Sequence, residues 1–213
     1  NIAVILAGNG VYDGAEIHES TLTLLAIAQQ GAAYQCFAPN VDQAHVVNHI
    51  TGDEMPEKRN VLVEAARIAR GNIKALSEYK ASDYDAIVIP GGFGAAKNLC
   101  TFAFDGSECS VNPDIENAIK DTVKAGKPIG ALCISPAIIA KVLGDVKLTI
   151  GQDKGTADGI EALGATHVST THGEIVVDEK YKVVTSPCYM LDATITQIAD
   201  GASNAVAKIL EMA

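Results

Sequence analysis

In Pro128-Ile129-Gly130-Ala131-Leu132-Cys133-Ile134-Ser135-Pro136-Ala137, an apolar run of strand length stops at a cysteine, and a helical period opens at the proline three residues on. An apolar run without alternation is what a strand buried on both faces requires. The stretch therefore predicts a central parallel strand over residues 128–132, covered by helices on each side. Pro136 suits the first turn of a helix, where its missing N–H would have no partner anyway. Cys133 then falls in a tight strand-to-helix turn that projects its side chain, the geometry of a nucleophile elbow. The amides and dipole of the helix start favour thiolate over thiol. Two readings fit this spacing: an activated nucleophile, or a small buried apolar thiol.

Outward from the elbow, apolar runs alternate with stretches of helical period, the pattern of βαβ units. Strands are predicted over residues 2–7, 34–38, 86–90, 128–132, 148–150, 175–177 and 183–185. Helices are predicted over 15–30, 58–69, 114–124, 136–143, 156–163 and 192–212. In the first helix Ile17, Thr21, Leu24, Leu25 and Ala28 share one face, and Gly31 closes it. Residues 102–112 are neither periodic nor strongly apolar and read as a loop insertion. With no repeat and no linker, residues 1–213 read as a single α/β domain, a flavodoxin-like three-layer sandwich with a mostly parallel central sheet.

In such sheets ligands sit beyond the carboxyl ends of the strands. Three strand exits carry unusual residues: Gly8-Asn9-Gly10 followed by Glu16, His18 and Glu19; Pro90-Gly91-Gly92-Phe93-Gly94; and the Cys133 elbow. Two glycines directly after a buried strand let backbone N–H groups turn toward a neighbouring exit. With the amide of Ile134, they fit an oxyanion hole for Cys133; a simple turn is the alternative. The Gly-x-Gly of residues 8–10 lacks the third glycine that dinucleotide binding needs.

Charge and composition exclude other classes. With 26 acidic and 16 basic residues the net charge is −10, which argues against a nucleic-acid backbone or an anionic membrane surface as partner. No apolar run reaches the roughly 18 residues of a membrane span. The apolar start reads as a first strand and not as a signal peptide, while the absence of an initiator Met leaves room for an upstream targeting segment. Five cysteines (36, 100, 109, 133 and 188) without CxxC spacing point to free thiols in a reducing compartment. Among the histidines, His45 and His49 alone share an i, i+4 spacing and lack a third ligand nearby, so no metal site is expected. His49 and, less directly, His18 are the histidines expected to touch substrate. Arg59, Arg67 and Glu64 read as solvated ion pairs, and Lys97 as a surface residue near the glycine turn.

The acid after the first strand, Pro90-Gly91-Gly92-Phe93-Gly94 and Ala131-Leu132-Cys133-Ile134-Ser135-Pro136-Ala137 together resemble the PfpI and class I glutamine amidotransferase-like superfamily. Within it the chain is most similar to the ElbB branch, named for enhancing lycopene biosynthesis and described as glyoxalases. Gly10-Val11-Tyr12-Asp13-Gly14-Ala15-Glu16-Ile17-His18-Glu19, Asn48-His49-Ile50-Thr51-Gly52, Leu148-Thr149-Ile150-Gly151 and Val184-Thr185-Ser186-Pro187 carry that likeness nearly end to end.

The resemblance implies Cys133 as the reactive cysteine, Glu19 as its acidic partner and Gly92 as the oxyanion-hole glycine. Without it, Glu19 would equally read as a solvated first-turn acid. The departures are informative too. The late stretch Ser186-Pro187-Cys188-Tyr189-Met190 has no His-x-Glu pair, Ile134 stands where many relatives place a histidine, and another family histidine aligns near Gly151. Glutamine hydrolysis and Cys–His proteolysis both lose their base. What remains is a Cys133–Glu19 dyad sharing one proton and suited to a small aldehyde or dicarbonyl. The implied activity is a cofactor-independent conversion of glyoxal to glycolate, with no metal or glutathione. The alternative is a non-catalytic redox-sensing or regulatory binding protein linked to isoprenoid biosynthesis. The resemblance further implies a homodimer in a bacterial cytoplasm, or in a mitochondrion if a transit segment has been removed.

Overall fold

The computed structural model describes residues 1–213. The strands are β1 (Ile2–Ile5), β2 (Tyr34–Ala38), β3 (Ile73–Ala75), β4 (Ala86–Ile89), β5 (Ile129–Leu132), β6 (Lys147–Leu148), β7 (Thr166–His167), β8 (Val176–Asp178) and β9 (Val183–Ser186). Seven of them form one sheet in the order β3-β2-β1-β4-β5-β9-β8. Every pair in it is parallel except β8, which runs antiparallel to β9. All residues of β1, β4, β5 and β9 are buried, as the unbroken apolar runs require.

The helices are α1 (Ile17–Gln29), α2 (Val61–Ile68), α3 (Phe102–Asp105), α4 (Pro113–Lys124), α5 (Pro136–Leu143), α6 (Lys154–Ala162) and α7 (Ile195–Met212). α1 packs along α7 and touches α2, while α4 and α5 pack together against β5. Parallel strand–helix–strand crossovers, right-handed as a rule, account for this division. The chain steps from β1 through β2 to β3 in one direction, then from β4 to β5 and β9 in the other. The fold is a flavodoxin-like α/β sandwich. Its strand order reverses between β1 and β4, where the departing chains open a crevice at the carboxyl edge.

Four sequence expectations are corrected. Residues 148–150 do not extend the main sheet: β6 is two residues long and pairs with β7 in a separate ribbon. The Thr149 N–H donates to the Thr185 hydroxyl (3.0 Å), so side chains replace a backbone ladder there. β3 escaped notice because it is three residues long and only half-buried at the sheet edge. Residues 102–112 hold α3 and a short 3₁₀ turn. In α1 the face named from the sequence is largely the outer one, with Ile17 and Leu25 exposed at 45% and 47%. Glu19, Ser20, Thr23, Leu24, Ala26 and Ile27 are buried instead. The buried side of α7 mixes Gly201, Ala202 and Ala205 with Ile198, Val206 and Ile209, and Gly201 lies against Ser186 and Cys188.

The crevice is shaped by backbone-on-backbone contact. A methyl group placed on Gly94 would lie 2.4 Å from the Gly14 Cα and 2.6 Å from the Ala7 carbonyl oxygen, neither of which can swing aside. The Gly94 N–H donates to the Gly14 carbonyl at 2.9 Å, locking the two loops together. Gly94→Ala is expected to lower stability by about 3 kcal/mol through overpacking. Gly155→Ala in α6, whose new methyl would meet only Asp153 Oδ2 at 3.6 Å, should be neutral or stabilise by up to about 1 kcal/mol. Urea denaturation of both variants against the wild type measures the contrast.

Candidate active site

Cys133 has a φ of +59°, in the left-handed region. For a non-glycine residue that costs about 1–2 kcal/mol and persists only where the surroundings enforce it. Three hydrogen bonds do so. The Cys133 N–H donates to the Ser186 carbonyl at the end of β9 (3.0 Å), and the Ser135 N–H to the Leu132 carbonyl (3.0 Å). The Ser135 hydroxyl, fully buried, donates to the Pro90 carbonyl at 2.7 Å and so ties the elbow to the glycine turn after β4. Pro136 opens α5 as its composition predicts.

Glu19 lies in the first turn of α1 and is 0% exposed, so it is not a solvated first-turn acid. Its position is set from three directions. Glu16, the N-cap of α1, accepts the Glu19 N–H at 2.6 Å. Glu19 Oε2 accepts the Gly91 N–H at 2.9 Å, and Oε1 accepts the Tyr189 N–H at 3.1 Å. The carboxyl thereby faces Cys133 across the bare Cα of Gly91. A methyl group at Gly91 would sit 2.3 Å from Cys133 Cβ, 2.9 Å from its sulfur and 2.7 Å from Glu19 Oε2. Only glycine lets thiol and carboxyl approach each other there.

Burial is the largest influence on Glu19 and raises it from an ordinary 4.5 to about 7. The Tyr189 amide opposes the rise, nearby Glu16 adds to it, and the Gly91 amide and Cys133 thiol again oppose it. Burial, and next the charge of Glu19, push the Cys133 thiol well above its ordinary range. The thiolate expected from the helix start is outweighed, because a second negative charge beside Glu19 in a dry site costs more than the dipole returns. Near neutrality the pair holds a thiol beside a partly ionised carboxyl.

Cys133 opens into a cavity of about 420 Å³ whose apolar wall includes Val11, Phe93, Phe102, Ile134 and Met190, with Tyr189 at its side. Gly92 lines it too, with a φ of +98°. The Gly92 amide faces the Cys133 sulfur. Neither it nor the Ile134 amide donates to a backbone oxygen. Two amides that are not tied to other backbone groups, beside a thiol, are suited to receive a developing oxyanion.

The histidines fall elsewhere. His18 is exposed, and its Nδ1 shares a 2.7 Å hydrogen bond with the Tyr189 hydroxyl, so it braces a lining residue without lining the cavity. His49 is removed from the cavity. Its Nε2 accepts the Tyr12 N–H at 3.2 Å, its Nδ1 lies 3.0 Å from the Val47 carbonyl, and the ring lies tilted by 32° against that of Tyr12. Both ring nitrogens are occupied in bracing the loop after β1, which corrects the expectation of a substrate contact. Lys97 donates to the Tyr12 carbonyl at 2.9 Å.

Sequence reasoning missed Tyr189, Asp153 and Phe102 as components of this site, and named Gly91 and Glu16 at the strand exits without their contacts to Glu19. Glu16 and Asp153 carried a signal, since each is an acid three residues before the amide it caps. Tyr189 directly follows Cys188 on the late loop that was singled out. Nothing in the pattern marked Phe102. Cys188 is buried close enough to Cys133 for each thiol to feel the other's surroundings, and all five cysteines are free. A second, open depression of about 640 Å³ between residues 168–176 and α7 contains no thiol.

The sign of the Glu19 effect on stability is fixed by its direction. Between 4.5 and about 7 the folded state holds a proton that the unfolded chain has released, so stability falls as pH rises through that window. The loss should approach about 3 kcal/mol, and Glu19→Gln should remove it. Thermal unfolding of both proteins at a series of pH values gives the check: the wild-type minus variant difference must shrink or reverse from acid to neutral pH.

Residues 11–189 match the DJ-1/PfpI family. The human mitochondrial protein named glutamine amidotransferase-like class 1 domain-containing protein 3 is 47% identical over 99% of this chain and 82% of its own length. The mitochondrial ES1 protein of Danio rerio is 34% identical over 100% of this chain and 86% of its own. Among solved structures, an isoprenoid biosynthesis protein with amidotransferase-like domain from Ehrlichia chaffeensis superposes with a TM-score of 0.94 at 36% identity, covering 100% of this chain and 98% of that one. Glyoxalase III of Candida albicans shares the fold, with a TM-score of 0.64 at 16% identity over 99% of this chain and 96% of its own. With a family match over most of the chain and relatives of this identity along nearly all of it, the protein belongs to the DJ-1/PfpI family.

Proposed function

We propose that the protein is a cofactor-independent glyoxalase-type enzyme that converts glyoxal and water to glycolate. The observation that carries this reading is Glu19: fully buried, turned toward the Cys133 thiol and raised to about 7, it is a base poised at neutral pH. Ionised Glu19 takes the thiol proton as the sulfur adds to one aldehyde carbon, and a C–S bond replaces the carbonyl π bond. The resulting oxyanion is received by the Gly92 and Ile134 amides and takes a proton to give a hemithioacetal. Glu19 then removes the hydrogen from that carbon as a proton and delivers it to the neighbouring carbon, oxidising the first and reducing the second. The product is a thioester of Cys133. Water attacks it, the C–S bond breaks, the sulfur recovers its proton, and glycolate departs. No external oxidant enters the balance.

The shared fold of Candida albicans glyoxalase III is consistent with this chemistry, although at 16% identity it speaks for the fold alone. A second reading, a regulatory or redox-sensing binding protein, draws on the missing histidine bases and on the Ehrlichia chaffeensis isoprenoid biosynthesis protein. Both readings use Cys133, and they part on turnover. The mitochondrial relatives favour the mitochondrial alternative for the compartment.

Glycolate formation from glyoxal by the wild type, Cys133→Ala and Glu19→Gln separates the readings. Wild-type turnover is expected, with complete loss in Cys133→Ala and a decrease of about 10²–10⁴-fold in Glu19→Gln. Absence of wild-type turnover across neutral and mildly alkaline pH would leave the binding protein. Turnover retained in Cys133→Ala would move the nucleophile elsewhere.

A further inference from the structure

Tyr189 is held to the start of α1 at both of its ends. Its backbone N–H donates to Glu19 Oε1 at 3.1 Å, and its phenol shares a 2.7 Å hydrogen bond with Nδ1 of His18. No other hydrogen bond joins residues 187–191 to α1. His18 and Glu19 are consecutive helical residues, so their side chains leave α1 in different directions, one exposed and the other into the core. A single residue reached by both is fixed in position and in rotation. Cys188, directly before it, has a φ of +43°. A residue in that left-handed region persists only where its surroundings hold it, and here the next amide is spent on Glu19.

The groups that face Glu19 are Glu16 from the N-cap of α1, the Cys133 thiol from the elbow, the Gly91 amide from the glycine turn, and Cys188 and Tyr189 from the late loop. None is a cation. The carboxylate in this dry site therefore depends on the amides that donate to it.

We propose that His18 is a positioning residue: through the Tyr189 phenol it holds the Tyr189 amide on Glu19 and so sets the pH at which that base comes into use. The proposal rests on Glu19 as the base beside Cys133 and adds a residue outside the cavity that governs it. A phenol can donate to a neutral imidazole or accept from a protonated one, so the link survives titration of His18 itself. The pH response belongs to Glu19. With the link cut, the late loop relaxes and Oε1 loses a donor. The carboxylate then loses ground to the acid, and the base ionises at higher pH.

Carboxyl ¹³C NMR of the full chain, labelled at glutamate, reads this without turnover, the Glu19 signal being the one lost in Glu19→Gln. Its titration midpoint should rise by about one pH unit in His18→Ala and equally in Tyr189→Phe, the scale of one hydrogen bond to a charged group. The double variant should rise no further, because the two side chains act as one link. His18→Asn, whose amide oxygen also accepts a phenol, should return the midpoint toward that of the wild type. A merely structural loss of stability would leave the midpoint of the folded protein in place. The acid limb of kcat/KM for glyoxal, measured in parallel, should move with the midpoint and cost about tenfold in rate on that limb. An unmoved midpoint in His18→Ala, additive shifts in the double variant, or a shift that His18→Asn does not reverse would each overturn the proposal. Shifted midpoints without turnover in any protein would end the glyoxalase reaction and keep the positioning role. Turnover with an unmoved midpoint would end the positioning role alone.

Discussion

A carboxyl group buried without a cation organises this molecule. No Lys, Arg or His side chain pairs with Glu19, so its charge is tolerable only through the Gly91 and Tyr189 amides, and even then incompletely. A carboxyl fully satisfied by cations would ionise at acid pH and be a poor base, and one with no donors would stay protonated. Two amides against full burial leave it near neutrality, where it can both take and return a proton. The rest of the crevice follows from accommodating it. The glycine turn must come close enough to donate, its first glycine must lack a side chain, and the late loop must lie over α1.

The same region collects the unfavourable features of the fold. Cys133 and Cys188 both have positive φ, and the Gly92 and Ile134 amides donate to no backbone oxygen. Such costs are borne by the fully buried strands and by the clamp between Ser135 and Pro90. Backbone strain and amides free of other backbone partners, gathered around one thiol, are what a preorganised reaction site requires, since donors already in place need no rearrangement as charge develops. Fold likeness alone would not lead here, because this architecture serves many chemistries; the side chains at the strand exits must be read one by one.

Much of the fold was legible because it is encoded locally. The unbroken apolar run into Cys133 and the helical period after Pro136 describe β5, the elbow and α5 within a residue or so. Short elements were not legible. β3 and β7 are too brief to show a period, and the buried face of α1 is not its most apolar one, since it carries Glu19, Ser20 and Thr23 beside Leu24 and Ile27. The placing of Glu19 opposite Cys133 came from the family resemblance and not from local pattern. The bracing role of His49 was not legible, since it comes from loop contacts that no spacing reveals.

Local order along the chain was enough to assign an α/β sheet, its strand exits and a cysteine at one of them, because hydrophobic period and turn chemistry act over a few residues. The state of the acid opposite that cysteine was not written locally. Glu19 meets partners 72 and 170 residues away, and a first-turn glutamate is solvated or buried according to what those distant loops place over it. The walls of the cavity, from Phe102 to Asp153, were set in the same way, by the packing of segments that carry no common motif.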